Sequence, residues 1–129
     1  MTGYIADIEK ETLENDNFRK VLHTTPQSQL VVMSLKPGEE IGEEVHNTIT
    51  QFIRIEEGNG KVVLDGEETS VEDDFAIVIP GGTLHNVINT SDDEDLKLYT
   101  IYSPPEHKDG TVHVTKEEAM ADEHDHYDH

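Results

Sequence analysis

From Gln29 to Pro104 the chain alternates apolar runs of four to seven residues with turn signals, and this rhythm decides the fold class. Leu30 to Leu35 reads as a strand ended by Lys36-Pro37-Gly38. Gln51 to Ile55 is a second, ended by the Glu56–Gly60 turn. Lys61 to Leu64 runs into Asp65-Gly66, residue types that suit the left-handed backbone of a two-residue hairpin. Glu68 to Val71 returns, Phe75 to Ile79 meets Pro80-Gly81-Gly82, and His85 to Ile88 and Leu96 to Tyr102 complete the set. About eight short strands with no helix-period segment between them predict an all-β sandwich or barrel. No strand–helix–strand rhythm is present, which argues against a parallel sheet.

The flanks read differently. Residues 1–28 form an N-terminal segment, where Ile5, Ile8 and Leu13 suit one stripe of a short helix and Phe18, Val21 and Leu22 an extended piece. The barrel pattern occupies 29–104 and stops at Pro104-Pro105. In the extension 105–121, Thr115 followed three residues later by Glu118 spells a capping box for a short helix. Residues 122–129 (Asp-Glu-His-Asp-His-Tyr-Asp-His) are polar enough to predict a disordered tail.

Composition narrows the function classes. The 129 residues suit one domain, and the lack of cysteine excludes disulfides, thiolate metal sites and cysteine nucleophiles. The net charge is −20, from 29 acidic and 9 basic residues, without the clustered Lys and Arg that nucleic-acid binding needs. Anionic membranes are disfavoured for the same reason. No apolar run approaches the ~18 residues of a membrane span, and the first ten residues do not read as a secretory signal. The expectation is a cytoplasmic protein that binds a small molecule.

Four polar residues share a predicted face. Glu44 and His46 are two apart, so their side chains leave the same side of an extended chain. Gln51 shares parity with Ile53 and Ile55, and His85 with Val87 and Asn89. Closing the sheet brings such strand mouths together. Tyr102 shares parity with Leu98 and Thr100 and reads as a core tyrosine with a polar handle near the pocket. His23, His107 and His113 stand alone and read as surface or core residues. His124, His126 and His129 form a solvated tract able to bind metal only weakly.

These residues resemble the cupin superfamily. Its first motif is Gly, five residues, His-x-His, three or four residues, Glu, six residues, Gly; here Gly38, Glu44-Val45-His46, Gln51 and Gly58 fall at those spacings. Its second is Gly, five residues, Pro-x-Gly, two residues, His, three residues, Asn; here Asp74, Pro80-Gly81-Gly82, His85 and Asn89 do so. The resemblance spans residues 30–103 and implies a single jelly-roll barrel (a double-stranded β-helix). It implies one divalent metal ion on Glu44, His46, Gln51 and His85. It also implies a homodimer, for which the N-terminal segment is a candidate pairing element.

The ligand set departs from the family's three His and one Glu, since Glu44 replaces the first His and Gln51 the Glu. One reading makes Glu44 a solvated carboxylate beside Glu39, Glu40 and Glu43. The other is a rearranged site, and in its favour the summed ligand charge is −1 in both patterns. The same ligand types, with Gln and Glu exchanged, occur in type I phosphomannose isomerases. Nitrogen and oxygen donors without sulfur suit Mn, Fe or Zn, with Co or Ni next. The resemblance therefore implies a metal-dependent sugar or sugar-phosphate isomerase, with Glu44 as an alternative base. The rival readings are an Fe- or Mn-dependent dioxygenase and a non-catalytic binding barrel.

Overall fold

The structure is a computed structural model that describes residues 3–127. A short helix α1 (Ile8–Glu14) precedes β1 (Arg19–Thr24), β2 (Gln29–Leu35), β3 (Thr50–Glu57), β4 (Asn59–Leu64), β5 (Glu67–Glu72), β6 (Ala76–Ile79), β7 (His85–Asn89), β8 (Leu96–Ser103), β9 (Val112–His113) and helix α2 (Lys116–Ala121). The strands form a six-stranded sheet, β6-β3-β8-β2-β1-β9, facing a three-stranded sheet, β5-β4-β7. All pairings are antiparallel. This is the all-β fold that the alternation of short runs predicts, in the jelly-roll form that the resemblance implies.

The inward parity of each strand builds the core. Val31, Met33 and Leu35 of β2, Ile53 and Ile55 of β3, and Leu96 and Leu98 of β8 are fully buried between the sheets. Burying each such side chain contributes about 1.5–3 kcal/mol. Asp65 and Gly66 both adopt positive φ (48° and 84°) and close the β4–β5 hairpin as their residue types require. Asp74, which stands where the second motif has Gly, also has a left-handed backbone, φ 72°. Its carboxylate accepts a hydrogen bond from Arg54 Nη2 at 2.9 Å, which helps hold a side chain where glycine is the easier choice.

Three expectations for the flanks need correction. Ile5 does not join a helical apolar stripe: it precedes α1 and is fully exposed, while the buried residue of the helix is Thr12. The sheet also extends beyond 29–104, because β1 pairs with β2 from Arg19 to Thr24 and its other edge is covered by β9. Residues 122–127, expected to be a solvated tail, are anchored through one buried carboxylate. Asp125 is only 8% exposed, its Oδ2 accepts from His107 Nδ1 at 2.7 Å, and its Oδ1 accepts from the Lys108 N–H. A polar segment can be buried when its charges find partners, and composition cannot reveal partners. The last two residues, His129 among them, lie outside the described residues. The Thr115–Glu118 capping box forms as expected and starts α2.

Candidate metal centre

The segment from Glu39 to His46 runs along the free edge of β7 as a loose extended chain. Ile41 N–H donates to the Val87 carbonyl, and Glu44 and His85 exchange both backbone hydrogen bonds at 2.9 Å. That exchange sets Glu44 directly beside His85. The Pro80-Gly81-Gly82 turn fixes the next residues. Gly82 N–H donates to the His46 carbonyl at 3.0 Å, and a Cβ on Gly81 would lie 2.8 Å from the Asn47 carbonyl oxygen. Glycine at 81 is therefore a packing requirement that brings the second motif against the first.

One donor atom from each of Glu44, His46 and His85 lies within 4.8 Å of the others, the one such group of His, Asp and Glu among the described residues. His46 Nε2 is 3.0 Å from Glu44 Oε2 yet buried without a hydrogen-bond partner. Two donors held at ~2.1 Å by one ion, at right angles to each other, stand ~3.0 Å apart. His85 Nδ1 is 2.9 Å from the Thr83 carbonyl, so it carries the proton and leaves the Nε2 lone pair free. Gln51 is 4% exposed on the inner face of β3. Its Nε2 donates to Thr100 Oγ1 at 3.0 Å, while its Oε1 is buried without a partner. The two orphaned atoms, His46 Nε2 and Gln51 Oε1, are the donor types that nitrogen- and oxygen-binding divalent ions take. The residues fit such an ion.

Electrostatics prepare the same donors. Burial raises the Glu44 carboxyl, but the His46 imidazole, Arg19 and His85 outweigh it and hold Glu44 below the ordinary carboxylate range. Burial lowers His46, but Glu44 on one side and Glu106 on the other outweigh it and raise the imidazole above its ordinary value.

A polar chain the sequence does not reveal flanks the centre. Tyr102 is 3% exposed and meets the His46 ring edge-on at 6.0 Å between centroids. Its hydroxyl is 3.3 Å from His107 Nε2, and His107 Nδ1 donates to Asp125. Burial lowers His107, and Asp125 only partly offsets this; with Nδ1 donating to Asp125, Nε2 faces the Tyr102 hydroxyl as its acceptor. Burial likewise raises the Tyr102 phenol. Arg19 Nη1 lies 3.4 Å from His113 Nδ1 and 4.0 Å from Asp125 Oδ2. His107 and Asp125 are 18 residues apart, which hides the pair from any spacing rule. A pocket of about 190 Å³ lies between the barrel mouth and the C-terminal arm, walled by Arg19, Glu44, Glu106, His107, Met120 and Asp125.

Comparisons with known proteins identify the fold and the family. The family model described as "Cupin domain" matches residues 31–102. An uncharacterized protein of Bacillus subtilis, YrkC, is 46% identical over 126 residues, covering 93% of this chain and 67% of that protein. A polyketide synthase, CurC, of Streptomyces cyaneus is 32% identical over 90 residues, covering 69% of this chain and 58% of that protein. The crystal structure of BH2720 from Bacillus halodurans is 45% identical, with a TM-score of 0.91, covering 94% of this chain and 96% of that one. KdgF from Halomonas sp., at 24% identity and a TM-score of 0.63 over 70% of this chain and 79% of that one, shares the fold. With the barrel, both motifs and the converging donors in place, the chain belongs to the cupin family.

Proposed function

We propose that this cupin is a metal-dependent enzyme acting on a small polar, carbonyl-bearing molecule in the barrel mouth, by chemistry of the sugar or sugar-phosphate isomerase type. The observation that carries it is the convergence of Glu44, His46 and His85 within 4.8 Å, with unpartnered buried donors on His46 and Gln51. A divalent ion there supplies polarisation of a carbonyl or enediolate oxygen. Glu44 and His46 hold it from the loop, His85 from β7, and Gln51 through Oε1. The pocket walled by residues of the C-terminal arm reaches Glu44, so a small ligand there would lie beside the centre. The Tyr102 hydroxyl, kept in place by His107 and Asp125, is a group outside the ligand set able to hold or move a proton.

The test is metal analysis of the full chain beside His46→Ala and His85→Ala, followed by anaerobic assay on aldose and ketose phosphates. About one divalent ion per chain, lost in both variants, with turnover that does not need oxygen, is the expected result. A wild-type protein that takes up no metal refutes the centre. Bound metal with turnover only in the presence of O₂ refutes the isomerase reading.

A further inference from the structure

We propose that Glu106, held in place by the C-terminal arm, is a positioning residue of the metal centre, fixing the His46 ring so that Nε2 faces the ion. This rests on the metal-centre reading above and adds a residue that neither motif contains.

A metal-bound imidazole keeps its proton on the nitrogen away from the ion, and that N–H needs an acceptor to fix the ring. His85 has one in its own turn, the Thr83 carbonyl at 2.9 Å. His46 sits on a loop, and its side chain is only 10% exposed. Glu44 Oε2 stands 3.0 Å from its Nε2, on the side of the centre. Glu106 Oε2 stands 3.5 Å from its Nδ1, on the opposite side of the ring. The carboxylate thus faces the N–H that an ion on Nε2 would leave on His46.

Glu106 lies beyond β8 in a stretch without regular structure, so something else must hold it. Barrel and arm share the task. Gln29 of β2 brackets His107, donating through Nε2 to its carbonyl at 2.7 Å and accepting its N–H at 2.9 Å. Tyr127 N–H donates to the Glu106 carbonyl at 3.1 Å. Asp125 takes the His107 ring and the Lys108 N–H. The segment with the composition of a disordered tail is the clamp on the residue that orients a ligand.

The experiment titrates Zn²⁺ into the metal-free full chain of wild type, Glu106→Gln, Glu106→Ala and Asp125→Asn. Glu106→Ala is expected to weaken binding about 10- to 100-fold. Glu106→Gln should recover part of this, because its amide oxygen can lie at the same place beside Nδ1, and Asp125→Asn should show a smaller loss. Proton NMR of the Co²⁺-loaded chain supplies a readout that general loosening would not imitate. Wild type should show one exchangeable, paramagnetically shifted N–H signal each from His46 and His85, and Glu106→Ala should lose only that of His46. Unchanged Zn²⁺ affinity in Glu106→Ala, against tight binding in wild type, overturns the positioning role alone, as does loss of both signals together. Absence of metal uptake by wild type overturns the centre, and this role with it.

Discussion

The two histidines of the centre are held in opposite ways. His85 opens β7, is 5% exposed, and donates to a backbone carbonyl two residues before it. His46 belongs to no strand and stands between two carboxylates, Glu44 from its own loop and Glu106 from beyond β8. The β7 side is positioned by a sheet ladder, which forms from local pairing and tolerates side-chain changes. The loop side is positioned by side-chain charges and by the close approach of Gly81 to Asn47. One half of the centre is therefore robust to mutation around it, and the other depends on residues far along the chain.

The strongest way to break the contrast is to remove either ring. His85→Ala and His46→Ala should both abolish stoichiometric metal binding, read by metal analysis after dialysis. Retention of a full equivalent in either variant would exclude that residue as a ligand. Next is Gly81→Ala, whose Cβ would meet the Asn47 carbonyl oxygen at 2.8 Å. It should cost about 1–3 kcal/mol of stability by overpacking and, by shifting the His46 backbone, weaken Zn²⁺ at least tenfold by calorimetry. A Glu106-independent site on the β7 side alone would predict wild-type affinity instead.

Asp125 sharpens the comparison through acid. Burial pushes its carboxyl up, but His107, the Lys108 N–H and Thr111 pull it well below the ordinary range. A depressed folded value means that its contribution to stability is present above the unfolded carboxylate pKa, ~3.9, and is lost as pH falls below that. Asp125→Asn should therefore be destabilised by about 1.5 kcal/mol near neutrality, and thermal denaturation should show the gap closing below about pH 4. A gap that persists unchanged at pH 3 would mean that the charge is not what docks the arm.

The smallest effect concerns His46 itself. Its imidazole is raised above the ordinary histidine value because Glu44 and Glu106 outweigh the cost of burial. Metal must displace that proton, so affinity should rise with pH and level off only above ~6.5, the ordinary histidine pKa. Glu106→Gln removes one of the charges that raise it and should move the midpoint down. An affinity flat from pH 5.5 to 8 would show that no imidazole proton is displaced.

Much of this protein was legible as a string. Strand positions, the Asp65-Gly66 hairpin and the capping box at Thr115 each depend on residues close in sequence, and each lies where its chemistry places it. The spacing of Glu44, His46 and His85 also carries to the structure, because motif spacing on paired extended chains maps onto distance. The extended piece at Val21 and Leu22 is the strand β1, but its place in the sheet, like the docking of Asp125, is not legible in the sequence, for one reason. Val21 and Phe18 on one side and Asp125 on the other gain their places from partners remote in the chain, and no local pattern encodes a remote partner.

The sequence by itself determined the barrel, the face on which Gln51 and His85 lie, and the donors offered, because side-chain alternation and turn chemistry are local. Only the tertiary structure decided which carboxylates flank His46, that Tyr102, His107 and Asp125 form one chain, and that the acidic tail docks through Asp125. Those are long-range electrostatic pairings, and their energy exists only once the barrel has excluded water from between them.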